Sequence, residues 1–179
     1  NDQLVYFIVT ELSDEEIIAY SKANLPSFWR PDTIIHLTEI KKSEGLELKA
    51  YKKGTDKVTI GYGNTTYKDG SPIKLGDKIT LQEAEDLLLW KVENEFLPPM
   101  MKLIKVPINE NQKSALLSLA YNCGIGNLKK SQVLKKININ PSDSTIKDTW
   151  LVTFIMKGTI FEKGSRARRK REAELYFKS

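Results

Sequence analysis

A glutamate at a helix end, followed at short range by a stretch rich in Gly, Thr and Tyr, is a set of residues suited to chemistry on a glycosidic bond. In this chain Glu44 precedes Gly45, and Thr59, Gly61, Tyr62 and Gly63 follow in a β-rich run. Cleaving a glycoside requires a protonated acid beside the scissile oxygen. It also requires a second group that serves as a nucleophile or places a water on the opposite face of the sugar. A helix-end carboxyl facing a hairpin would supply both sides, provided that the surrounding elements bring them together.

The sequence punctuates those elements. Ser13 to Glu16 reads as a capping box that opens a helix over about 14–24, and Pro26 and Pro31 then mark a linker at 25–31. From Asp32 a second helix begins, in which Ile34, Leu37 and Ile40 recur at helical spacing. Gly45 stands where a left-handed cap is wanted, which puts Glu44 in the last turn. Between 46 and 75 the period changes: Leu46, Leu48 and Ala50 alternate with polar residues, Val58 to Tyr62 is β-rich, and Asp69-Gly70 marks a turn. This segment predicts a small antiparallel sheet of two or three strands.

Helical patterning then takes over. Thr80 to Glu83 is a capping box, and Leu81, Ala84, Leu88, Val92 and Phe96 form one apolar stripe that Pro98-Pro99 is expected to end. Asn109 to Gln112 has the side chains for another box. Leu116, Leu119, Ala120 and Cys123 carry that helix to Gly124, and it is expected to run through the core. Ile146, Trp150 and Phe154 fit one face of a further helix that Gly158 would end. A last helix over about Ser165 to Phe177 holds the basic run Arg166, Arg168, Arg169, Lys170 and Arg171.

Composition bounds what such a chain does. With 179 residues and 40% hydrophobic content it can form one core, or a small and a large lobe that share a helix. No run approaches the roughly 18 apolar residues of a membrane span, and Val5 to Val9 is too short for an intact signal peptide, so a trimmed one stays open. The net charge of +5 favours anionic surfaces such as bacterial walls, nucleic acids or acidic lipids. Cys123 is the only cysteine, which excludes an intrachain disulfide and suggests a buried thiol. His36, the only histidine, has no partners at metal-ligand spacing and reads as an ordinary helix residue.

Three blocks make the reading specific. They are Glu44-Gly45-Leu46-x-Leu48-Lys49-Ala50-Tyr51 with Thr59-Ile60-Gly61-Tyr62-Gly63; Asn111-Gln112-x-x-Ala115-Leu116-x-Ser118-x-Ala120-Tyr121-Asn122-x-Gly124-Ile125-Gly126; and Gly164 with Arg168-Arg169, Glu172 and Leu175. In content and order they closely resemble the phage-type lysozymes, a family of glycoside hydrolases. Residues 1–30 have no counterpart in it.

The resemblance implies roles. Glu44 matches the general acid, and Thr59 the threonine that helps to hold the attacking water. The family's catalytic aspartate position is occupied by Lys53, a cation that cannot accept a proton from water. Asp56, in the same hairpin turn, is the alternative carboxylate. It either swings into the cleft or is an ordinary turn aspartate, and a third reading lets Glu44 and Thr59 suffice at a lower rate. The family's histidine after Gly-Tyr-Gly is replaced by Asn64. Tyr62, Gly63, Asn64, Tyr121 and Asn122 match positions lining the sugar cleft, with core packing an equal reading of the tyrosines. Of the basic run, Arg166 or Arg169 is expected to approach Glu44, unless the run is simply a solvated face.

The expectation is therefore an α+β, lysozyme-like fold, with a small antiparallel β-hairpin lobe and a mainly helical lobe over 31–179, behind an N-terminal extension over 1–30 that carries a short helix. It implies hydrolysis, with inversion, of the β-1,4 bond between N-acetylmuramic acid and N-acetylglucosamine in bacterial peptidoglycan. The protein would act as a monomer, without a metal or organic cofactor, without nucleic acid and without stable membrane insertion. It would be secreted, periplasmic or released from the host cytoplasm as a phage endolysin. One rival is a catalytically impaired relative that binds peptidoglycan, motivated by Lys53. Another is a basic module for nucleic acid or membranes, against which stand Glu172 and Glu174 in the basic helix and the lack of a nucleic-acid motif.

Overall fold

The computed structural model describes residues 31–52 and 57–178. The helix expected at 14–24 and most of its linker lie outside the described residues, as do Lys53, Asp56 and the side chain of His36. Helix α1, Pro31–Glu44, ends where the Gly45 amide returns to the Lys41 carbonyl, so Glu44 occupies the last turn. Strands β1, Glu47–Tyr51, and β2, Thr59–Gly61, pair antiparallel with Glu47 opposite Gly61 and Tyr51 opposite Thr59. Among the described residues the sheet has two strands. A third is reduced to isolated bridges, Lys49 with Lys78 and Thr66 with Pro72. Leu46 and Leu48, despite the alternation, remain exposed.

The Asp69-Gly70 turn forms as expected, with the Asp69 carboxylate accepting from the Ser71 amide and hydroxyl. Helix α2, Leu81–Lys91, opens on the Thr80–Glu83 capping box and buries Ala84, Leu87 and Leu88. Its stripe continues into a π-helical turn, Val92–Phe96, where the Leu97 amide reaches five residues back to the Val92 carbonyl. Pro98 and Pro99 do not end the helical path. They open helix α3, Leu97–Leu103, in whose first turn amides have no intrahelical acceptor and proline is tolerated.

Helix α4, Glu110–Cys123, is the core helix, with every residue from Ser114 to Ala120 buried. Both halves of its capping box form: Asn109 Oδ1 accepts from the Gln112 amide, and Gln112 Oε1 from the Asn109 amide. Asn109→Ala is expected to destabilise the protein by about 1 kcal/mol, read as a shift in denaturation midpoint at unchanged slope. An unchanged midpoint would show that this cap contributes nothing.

After α4 come two short helices that the sequence reading missed, α5, Ile125–Lys130, and α6, Gln132–Ile139. Helix α7, Thr145–Leu151, buries Ile146 and Trp150 but stops well before Gly158. Phe154 lies beyond it, 37% exposed and at a positive φ of 49°, so it does not continue the Ile146 and Trp150 face. Helix α8, Glu162–Tyr176, begins earlier than expected and packs across α4, as does α1 from another side. The arrangement is α+β: a hairpin lobe, and a helical lobe whose centre is α4.

Candidate active site

The site forms where α1 ends, where the β2 turn reverses, and where α8 crosses α4. The Ile60 and Asn64 backbones exchange two hydrogen bonds of 2.9 Å and so close the loop Gly61-Tyr62-Gly63. Gly61 and Gly63 have φ of 63° and 90°, a region that side-chain-bearing residues rarely adopt. A Cβ on Gly63 would stand 3.7 Å from Glu44 Oε2, an ordinary contact, so it is the positive φ rather than the space that calls for glycine here, and the turn lies beside that carboxylate.

Glu44 itself is held from the other side. Arg168 Nη1 donates to Glu44 Oε1 at 2.6 Å, and the Glu44 side chain is 23% exposed. The guanidinium is fixed in turn: Nη2 donates to the Ser118 carbonyl at 2.9 Å, and Nε to Glu172 Oε1 at 3.1 Å. Glu172 is fully buried and also accepts from Ser118 Oγ at 2.7 Å and Trp150 Nε1 at 3.0 Å. A buried carboxylate is tolerable only with such partners, and this one has two guanidinium groups against it.

This corrects the arginine assignment. Arg166 pairs with Glu162 at 2.7 Å, one turn back on the outside of α8. Arg169 is buried but points to Asn122, donating from Nη2 to Oδ1 at 2.8 Å, and its Nε lies 3.1 Å from Glu172 Oε2. Arg168 faces Glu44 because it shares the inner face of α8 with Glu172, four residues on. Burial holds the Arg169 guanidinium below its usual range and pushes the neighbouring Cys123 thiol up to about 11, so that cysteine is a partly buried, protonated thiol.

The two tyrosines are tied into the protein by their hydroxyls. Tyr121 donates to the Tyr62 carbonyl at 2.9 Å, which anchors the glycine turn to α4, and Tyr62 donates to Glu85 at 2.7 Å. Burial raises the Tyr121 phenol well above its ordinary range, with Glu44 adding to the effect. Tyr62 is buried. Asn64 is also buried, and its Oδ1 has no hydrogen-bond partner among the described residues. Asn122 is exposed. Thr59 opens β2 with its hydroxyl donating to the Lys57 carbonyl at 3.0 Å. Among the described residues no three His, Cys, Asp or Glu side chains converge as a metal site, and no helix is long and apolar enough to cross a membrane.

Glu172 and Ser118, which complete the site from below, carry no signal beyond their place in those sequence blocks, and Trp150 carries only that of an apolar helix face. A buried charge announces itself only through its neighbours in space.

Comparison with known proteins agrees with this architecture. The endolysin of Salmonella phage P22 is 36% identical over 104 residues, which are 58% of this chain and 70% of that protein. The endolysin of Bacillus phage PZA is 43% identical over 101 residues, 55% of this chain but only 37% of that protein, so this chain spans little more than a third of that relative. Among solved structures, an endolysin from Escherichia coli O157:H7 phage FAHEc1 superimposes with a TM-score of 0.72 at 37% identity, covering 80% of this chain and 90% of that one. The phage lysozyme family model matches residues 41–172, from the last turn of α1 into α8. With more than half of its length matched, and with Glu44 and Arg168 joined at the meeting of its two lobes, this chain belongs to the phage lysozyme family.

Proposed function

We propose that the protein is a peptidoglycan hydrolase, a muramidase that cleaves the β-1,4 bond between N-acetylmuramic acid and N-acetylglucosamine, with Glu44 as the general acid. The observation that carries this reading is the asymmetry of the Glu44 carboxyl. Oε1 is committed to Arg168, while Oε2 faces the Gly63 turn. Oε2 is therefore the oxygen that presents the proton to the leaving sugar oxygen.

The glycan would lie along the turn Gly61 to Asn64 and the end of α4. Tyr62 and Tyr121 shape this surface, Gly63 keeps the turn free of a side chain, and Asn122 offers an exposed amide suited to N-acetyl groups. The buried Asn64 lies behind the turn rather than facing the glycan. Arg169 supports the site by orienting Asn122, and Arg168 takes the role expected of Arg166 or Arg169. Water attacks from the opposite side with inversion. Thr59 holds that water, and Asp56 contributes a carboxylate in place of the missing family aspartate. The catalytic domain comprises 31–179, with 1–30 as an extension. It works as a monomer on the wall, released from the cytoplasm or acting in the periplasm.

The test is digestion of purified peptidoglycan with analysis of the products. New reducing ends on N-acetylmuramic acid, first released as the inverted anomer, are expected. Thr59→Val should lower the rate more than about tenfold and Asp56→Asn by a few-fold. Full wild-type activity in the Asp56→Asn, Thr59→Val double variant would overturn the account of the attacking water. Reducing ends on N-acetylglucosamine alone would overturn the bond assignment.

A further inference from the structure

Lys91 is a half-buried cation without an ionic partner among the described residues. It is the last residue of α2, at the junction with the π-helical turn. Its Nζ lies over the Tyr121 ring, 5.5 Å from the centroid, and Phe96 at the far end of the same turn meets that ring at 4.9 Å. Among the described residues no carboxylate is in ion-pair contact with Lys91. Glu95, one turn on, and Glu44, across the cleft, act on it only at longer range. Lys41 shows the contrast: it lies 5.8 Å over the Tyr62 ring in the same manner, but it is ion-paired with Glu85.

Removing an ammonium group from water without a counterion is costly, and a ring face offsets only part of that cost. Burial accordingly pulls Lys91 below the usual lysine range. The ring under Lys91 belongs to the residue that anchors the Gly61–Gly63 turn beside Glu44, so the unpaired charge lies at the border of the glycan path. Ligands at such a position replace the missing counterion, and an anion is the chemistry that fits. Stem-bearing peptidoglycan supplies carboxylates on its peptides, whereas the sugar backbone between them is neutral.

We infer that Lys91, held over Tyr121 at the border of the cleft, is a specificity-determining residue that pairs with a carboxylate of the peptidoglycan stem. The inference rests on the muramidase reading for the identity of the polymer, but binding alone tests it. Intact sacculi and sacculi whose carboxylates have been converted to methylamides are each co-sedimented with Glu44→Gln protein, so that the wall is not consumed. Lys91→Gln and Lys91→Arg are made in the same background.

Loss of a charge-assisted contact of this kind corresponds to about tenfold in affinity. Lys91→Gln should therefore weaken binding to intact sacculi about tenfold, Lys91→Arg should restore most of it, and the two should bind methylamidated sacculi equally. Equal binding of Lys91→Gln and its parent to intact sacculi overturns the inference, as does a deficit of the same size on both walls. If Lys91→Gln fails to fold, the parent alone decides: unchanged affinity after methylamidation overturns it, and a loss of about tenfold upholds it. Failure of the wild-type chain to hydrolyse intact sacculi would count against the muramidase reading and leave these binding outcomes in place.

Discussion

Glu44→Gln is expected to lower hydrolysis of peptidoglycan by roughly 10²- to 10⁴-fold while the protein stays folded. The amide is nearly isosteric, and its oxygen still accepts from Arg168, but Nε2 in place of Oε2 has no acidic proton to give. Arg168 keeps Glu172 and the Ser118 carbonyl as partners, so its charge is not stranded. The thermal midpoint should move by no more than roughly 4 °C. Retention of more than about a tenth of the wild-type rate would remove Glu44 from the acid role.

Substitution of Glu172 should act on stability on a comparable scale. Glu172→Gln removes the negative charge between Arg168 and Arg169, whose side chains are 7% and 0% exposed. Breaking a buried pair by deleting one partner costs about 3–5 kcal/mol, because the remaining charges stay buried without compensation. A fall in Tm of roughly 10 °C is the expected result in a thermal melt. Activity should fall as well, since Arg168 loses the contact that fixes its direction toward Glu44. A melt within about 2 °C of wild type would mean that Ser118, Asn122 and Glu44 already satisfy both arginines.

What could be read from the sequence was what local chemistry decides. The Thr80 and Asn109 capping boxes form as expected because each needs only residues three apart. Glu44 falls at a helix end because Gly45 follows it. Errors arose where rotation or tertiary packing decides. Pro98-Pro99 is equally compatible with the end of one helix and the start of another, and the π-helical turn before it settles the matter by continuing the helical path. Phe154 has helical spacing from Trp150, yet α7 ends at Leu151 and the chain turns away. The basic run named the right set of arginines, but which one faces Glu44 depends on how α8 is rotated against α4. Short helices such as α5 and α6 present too few turns for a period to show.

The contact between Glu44 and Arg168 joins residues 124 positions apart. During synthesis the Glu44 carboxyl emerges before its guanidinium partner, which belongs to α8. A nascent chain therefore carries this carboxyl well before Arg168 is made to hold it. A chain cut short ahead of residue 168 lacks the guanidinium that holds Glu44 in place. Chain order thus separates the making of the carboxyl from the making of the group that holds it.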